Sequence, residues 1–210
     1  MATDQTRVGT ASALECIGEV FLAPGHSSTP EGDKNMTETP KPTTRVLVSA
    51  GSKHGATVEI AYRIGKAIDL EGPEVTVLAP EEATSLEEFD AIVLGSAVYA
   101  GHWTRDALAL AERVSALDPK PPVWIFSSGP VGDPPKPEEE PVDVADVMET
   151  TGAREHEMFP GKIDRSKLNF GEKAIMIAVK APEGDFRDWD AIDSWARRIA
   201  TELSSEVQTQ

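Results

Sequence analysis

Ser52-Lys53-His54-Gly55-Ala56-Thr57 is the stretch whose residue types and spacing are suited to chemistry. Two hydroxyl side chains, Ser52 and Thr57, flank Gly55, and Gly51 comes just before them. Glycines at these points let the backbone turn sharply and lie close to a ligand. Thr57 opens a run in which Val58, Ala61, Gly65 and Ile68 share a helical face, with Ile60, Ile64 and Ala67 beside it. Ahead of the loop, Arg45 to Ser49 is short, apolar and partly β-branched, as expected of a strand buried on both faces. Strand, glycine-containing loop and helix N-terminus together make an anion site. The free N–H groups of the first turn and the positive end of the helix dipole both favour a phosphate. Ser52 and Thr57 add hydroxyl donors, whereas Lys53 is expected to point into water.

Several phosphate cradles are excluded by residues. A Walker loop needs Gly-Lys-Ser/Thr, but Gly55 is followed by Ala56 and Thr57. The spacing from Gly51 to Gly55 does not supply the Gly-x-Gly-x-x-Gly dinucleotide fingerprint. No cysteine stands in the loop to act as a phosphatase nucleophile. A phospho-acceptor site would want an aspartate at the mouth of a central strand, where Leu94 and Gly95 stand instead. What remains is Ser-x-x-Gly-x-Thr, which by itself reads more readily as a plain Gly/Ser turn between a strand and a helix.

The elements that must hold this loop follow from pattern. Glu74 to Leu78 reads as a second strand, and Ala91 to Gly95 as a fully apolar strand at the sheet centre. Ser96 to Trp103 reads as a loop, and Thr104 as the cap of a helix whose stripe is Ala107, Leu110, Ala111, Val114 and Leu117. Val123 to Phe126 is another buried strand, followed by a loop from Ser127 to Pro141 that contains five prolines. Val142 to Thr150 reads as a helix and Arg154 to Phe159 as a polar strand for a sheet edge. From Glu172 to Lys180 the pattern is ambiguous, because Ile175, Ile177 and Val179 alternate among helix-favouring neighbours. The last helix begins at Asp188 and aligns Trp189, Ile192, Trp195, Ala196, Ile199 and Leu203. Strands alternating with helices imply a parallel sheet covered on both faces, with the loops after successive strands gathered at one end.

Composition sets the outer bounds. A chain of 210 residues is read as one domain, from 44 to 204, with a Thr-, Ser-, Pro- and Glu-rich disordered leader at 1–43 and a tail at 205–210. Met36 offers a second start site just ahead of the first strand. The net charge is −16, and the first 42 residues, with six acids and three bases, leave −13 for the domain. That argues against nucleic acid and against an anionic membrane surface as partners. No transmembrane segment or metal-ligand spacing is present in the sequence, and the single cysteine, Cys16, fits a reducing, cytoplasmic compartment.

The second loop, Gly95-Ser96-Ala97-Val98-Tyr99-Ala100-Gly101-His102-Trp103, carries aromatic groups. Tyr99 and Trp103 suit a flat heterocycle, since stacking contributes about 0.5–1.5 kcal/mol beyond area burial. The alternative is that Trp103 packs on the helix it precedes and His102 sits in solvent. The third loop, Phe126-Ser127-Ser128-Gly129-Pro130, offers N–H groups and hydroxyls to a ring's rim.

These three loops, in this order and spacing, resemble the flavodoxin-domain family over residues 45–203. The branch of closest resemblance contains menaquinone-dependent protoporphyrinogen oxidase, whose bacterial members are also similar at Glu183-Gly184-Asp185-Phe186-Arg187-Asp188-Trp189. The resemblance implies a three-layer α/β sandwich, with a five-stranded parallel sheet of order 2-1-3-4-5 and helices on both faces. It implies FMN as cofactor, with the phosphate on Ser52, Lys53, His54, Gly55, Ala56 and Thr57. The flavin ring would then lie against Ser96, Ala97, Val98, Tyr99, Gly101, Trp103, Ser127, Ser128 and Gly129. It also implies that Phe170 to Lys180 is helical. Two departures stand out. The third loop lacks the second aromatic that electron-carrying flavodoxins place over the ring, which leaves one ring face open. The region before the last helix is shorter than the basic insertion of the oxidase branch and ends in acids.

Three functions are compatible with this reading. One is an FMN-dependent oxidoreductase of the protoporphyrinogen-oxidase type, moving hydride from a small substrate to FMN and electrons on to a quinone. In that case only His102 offers itself as a catalytic acid or base. The second is an electron carrier docking its acidic face on a basic redox protein. The third is a flavodoxin-fold binding module without flavin, which the retained Ser52, Thr57, Tyr99 and Trp103 argue against.

Overall fold

Apolar runs become the inner strands, and stripes of period 3.6 become the helices that cover them. The computed structural model describes residues 43–129, 131, 139–178 and 182–207. In chain order it contains β1 (Arg45–Gly51), α1 (Ala56–Asp69), β2 (Glu74–Leu78), a 3-10 turn at Leu86–Glu88, β3 (Ala91–Tyr99), β4 (His102–Trp103) and α2 (Arg105–Ser115). Then follow β5 (Val123–Ser128), α3 (Val144–Thr151), β6 (His156–Phe159), β7 (Lys162–Ile163), α4 (Phe170–Ala178), β8 (Gly184–Asp185) and α5 (Trp189–Val207). The expected leader falls outside the described residues except for Thr43, and the last helix runs to Val207.

Five strands pair in parallel in the spatial order β2-β1-β3-β5-β6. Counting the parallel strands along the chain, this is the expected order 2-1-3-4-5. The polar His156–Phe159 strand takes the edge, as its composition implied. One core lies between the sheet and α1 with α5, built on Val46, Val48, Ile60, Ile64, Trp124, Phe126 and Trp195. The other lies towards α2 and α3, on Leu47, Ile92, Leu94, Trp103, Leu110, Ile125 and Val147. Successive residues of β1 and β3 thus serve opposite cores, which is why these strands read as unbroken apolar runs. On α1, Ile60, Ala61, Ile64, Gly65, Ala67 and Ile68 are buried as expected, while Val58 is only half-buried.

The second loop differs from expectation. β3 continues to Tyr99, and β4 folds back on it with Val98 opposite Trp103 and Tyr99 opposite His102. The connection is the two-residue turn Ala100-Gly101, with φ of 52° and 84°. A two-residue hairpin with positive φ at both positions matches the strand twist and favours glycine at the second. Over 170–178 the helix prevails against the alternation of Ile175 and Ile177. Thr104 caps α2 by accepting from the Ala107 N–H, and Asp188 caps α5 by accepting from the Asp190 and Ala191 N–H groups.

Candidate functional site

The sheet register sets Gly51, Ser96, Ser127 and Met158 in one row at the carboxyl ends of their strands. Above that row lies a cleft of about 430 Å³. Its walls come from the Ser52–Thr57 loop, without Gly55, and Glu59; from Ala97–Ala100; from Ser128, Gly129 and Val131; and from Gly161–Asp164, Lys167, Leu168 and Glu172. This is the crevice beyond the strand ends where open α/β sheets bind ligands.

The cradle wall is held from within. Gly55 sits at φ 87°, a left-handed conformation that glycine adopts without strain. Ser52 Oγ accepts from the Gly55 N–H at 3.1 Å, which fixes the turn and leaves the Ser52 O–H as a donor. The first N–H bonded back along α1 is that of Glu59, to the Gly55 carbonyl at 3.1 Å. The N–H groups of the turn before it have no partner inside the helix. Thr57 is 2% exposed and lines the cleft. Among the described residues no group bonds its hydroxyl. Hydroxyls and unpaired N–H groups at a helix start fit a phosphate monoester.

The ring wall is centred on Tyr99, the only Phe, Tyr or Trp lining the cleft among the described residues. Burial raises its pKa, the backbone of Lys53 works against that, and the charge of Glu172 adds to the rise. Lys53 is exposed, as expected, but it does not extend freely. Its Nζ lies over the Tyr99 ring, 4.3 Å from the centroid. His54 meets the same ring edge-on at 6.2 Å between centroids. His54 Nε2 approaches Glu172 Oε2 to 3.2 Å, outside hydrogen-bond alignment, so the contact is electrostatic. The Glu172 carboxyl is held below the usual range, first by the Asn169 N–H, with burial opposing and His54 assisting. Lys167 Nζ donates to the His54 carbonyl at 3.3 Å, tying the fourth wall to the cradle.

The cleft thus brings together Ser52, Lys53, His54, Ala56, Thr57, Ala97, Val98, Tyr99, Ser128 and Gly129. Gly55 shapes the cradle from behind, and Gly101 forms the hairpin turn. Four side chains expected at the ligand lie elsewhere. Ser96 is fully buried and its Oγ accepts from the Thr104 N–H at 2.9 Å, at the start of α2. Trp103 is 4% exposed, packs in the α2 core, and donates from Nε1 to Ser127 Oγ at 2.8 Å. Ser127 is fully buried between that indole and His156 Nε2, at 2.9 Å. His102 leans on Asp143 at 3.3 Å with 58% of its side chain exposed, so it is no acid or base for this cleft. Residues that the sequence did not single out are Glu59, Gly161, Lys162, Ile163, Asp164, Lys167, Leu168 and Glu172.

Among the described residues no cluster of three His, Cys, Asp or Glu side chains could hold a metal, and no helix is long and apolar enough to cross a membrane. A doubly wound sheet with an anion cradle beside an aromatic wall defines a class of proteins that hold a ring bearing a phosphate. The flavodoxin-domain family model matches residues 47–190, and the chain belongs to that family. No curated protein matches it in sequence. Among solved structures, it is similar to rubredoxin oxygen:oxidoreductase from Desulfovibrio gigas, with a TM-score of 0.53 and 15% identity, over 80% of this chain and 38% of that one. A flavodoxin from the domain Archaea gives a TM-score of 0.53 and 17% identity, over 79% of this chain and 99% of that one. The flavodoxin of Streptococcus pneumonia TIGR4 gives 0.51 and 15%, over 78% and 99%. At these identities the likeness is one of fold, and this chain spans well under half the length of the first protein.

Proposed function

We propose that this protein binds FMN in the cleft and acts as a flavin-dependent oxidoreductase. One observation carries the reading: a single cleft joins a hydroxyl and N–H cradle at Ser52–Thr57 to the ring of Tyr99 and to the aliphatic side chains of Val98, Val131, Ile163 and Leu168. Thr57, Ser52 and the N–H groups of the α1 start would hold the phosphate. Tyr99, Ala97, Val98, Ser128 and Gly129 would hold the ring. FMN supplies hydride acceptance and electron donation when bound, and the protein supplies anchoring, stacking and water exclusion. Besides Tyr99, the described lining holds the aliphatic Val131, Ile163 and Leu168 together with the charged Lys162, Asp164, Lys167 and Glu172, and no second aromatic. The lack of a second aromatic leaves a ring face for a planar organic substrate beside the cofactor, and so favours a quinone-linked enzyme of the protoporphyrinogen-oxidase type. An acidic chain with net charge −16 favours the second reading, a carrier for a basic redox protein.

Flavin titration is the direct test. FMN should be taken up with loss of its fluorescence, giving a yellow protein. A colourless protein that leaves added FMN fluorescence unquenched would remove both redox readings in favour of a flavin-free module. For the enzyme, reduced protein should be reoxidised by a soluble menaquinone analogue with saturation, with protoporphyrinogen as the first donor to try.

A further inference from the structure

The motif Glu183–Trp189 is unused in the reading above, yet its arginine is built into the cradle. The Arg187 side chain is 3% exposed. Its Nε and Nη2 grip Asp185 at 2.7 and 2.5 Å, and the guanidinium lies over the Trp189 ring at 4.4 Å. The remaining nitrogen, Nη1, donates to Glu59 Oε2 at 2.8 Å and to the Ala56 carbonyl at 3.1 Å. Ala56 and Glu59 both line the cleft in the first turn of α1.

Each of those two contacts bears on a bound anion. The Ala56 carbonyl and the Thr57 N–H belong to one planar trans peptide, so they point in opposite directions. A cation on the oxygen fixes that plane and polarises the N–H at its other end. The Glu59 carboxylate stands at the lip of a site for a phosphate dianion, where like charge opposes binding. A buried arginine bonded to it offsets part of that charge at short range, the rest of the guanidinium being taken by Asp185, in a protein whose net charge is −16. We infer that Arg187 is a positioning residue for the phosphate subsite, presenting the Thr57 N–H and offsetting part of the Glu59 charge so that the cleft accepts a phosphate monoester. This inference rests on the FMN reading and names a residue that adds to the preference for FMN over its dephosphorylated form.

The test compares FMN with riboflavin, which has the same ring and no phosphate. Dissociation constants are measured for wild type, Arg187→Gln, Arg187→Lys and Glu59→Gln, with inorganic phosphate as competitor. Arg187→Gln should weaken FMN by about tenfold or more, the scale of a charge-assisted bond, with riboflavin little changed. Arg187→Lys should recover part of the preference, because it keeps the charge but cannot serve Asp185 and Ala56 together. Glu59→Gln should tighten FMN and make phosphate a better competitor, with riboflavin unmoved. This variant carries the test if Arg187→Gln fails to fold, since Arg187 then keeps Asp185. A purely structural role would weaken both flavins alike. An unchanged FMN-to-riboflavin ratio in Arg187→Gln, or in Glu59→Gln where the arginine variants do not fold, overturns the inference alone. Wild-type protein that binds neither flavin overturns it together with the FMN reading.

Discussion

At the residue scale, the site rests on a few polar atoms whose geometry differs from what spacing alone implied. Thr57 is buried at the cleft with its hydroxyl unclaimed, whereas the Ser52 oxygen is already engaged by the Gly55 N–H. Thr57→Ala should therefore weaken FMN binding by about 1.5–3 kcal/mol, roughly one to two decades in affinity. Lys53→Ala should change it less. That lysine gives up only a cation–π contact with Tyr99, about 0.5–1 kcal/mol at an exposed position. Isothermal or fluorescence titration of both variants decides the ranking. Equal midpoints for Thr57→Ala and wild type would take the phosphate off this loop. Trp103, Ser127 and His156 carry the opposite lesson. Their bonds join three segments far apart in sequence, and no local pattern announces that an indole and a serine will satisfy each other in the core.

At the scale of elements, close packing sets the tolerances. A side chain at Gly95, on the central strand β3, would bring its Cβ to 2.1 Å from the ring of Phe126 on β5. Gly95→Ala should destabilise by about 1–3 kcal/mol or more, read as a lower denaturant midpoint with an unchanged slope. On the edge strand β6, burial raises the Glu157 pKa, helped by Glu155 and opposed by Arg198. A carboxyl raised in the folded state favours folding most below its unfolded pKa, near about 4.3, and loses that contribution as pH climbs through the folded value. Glu157→Gln should thus raise the melting temperature at neutral pH and converge on wild type in acid. A constant difference across pH would place the effect elsewhere than on the charge. The central strands, the faces of α1 and α5 and the Thr104 cap were legible because each is written in local period or capping chemistry. The β3–β4 hairpin was less so, its Ala100-Gly101 turn being a modest signal inside a run that otherwise reads as a loop. The fourth wall of the cleft was not legible at all. Gly161–Leu168 has no period, and it is placed by pairing of β7 with β8 some twenty residues on and by Lys167 reaching His54.

For the whole molecule, the question is whether an acidic body or a shaped cleft governs electron flow. A net charge of −16 sets up a long-range field that steers basic proteins and is screened beyond about 10 Å at 0.1 M salt. A carrier using that field would react with a basic redox partner at rates that fall steeply with ionic strength. A quinone is uncharged, so its entry into the cleft is indifferent to that field and saturates as the cleft fills. Val131 is a half-buried residue of the cleft lining, which holds no aromatic besides Tyr99 among the described residues. Val131→Tyr should fill the substrate's share of the cleft, lowering quinone turnover while flavin content stays at the wild-type level. The decisive experiment follows reoxidation of the reduced protein, wild type and Val131→Tyr, by a soluble menaquinone analogue and by a basic electron-transfer protein across a salt series. Saturation with quinone, little salt dependence and a marked loss in the tyrosine variant are expected. Linear quinone kinetics, indifference to the tyrosine and a steep salt dependence with the protein partner would instead assign the molecule to electron carriage.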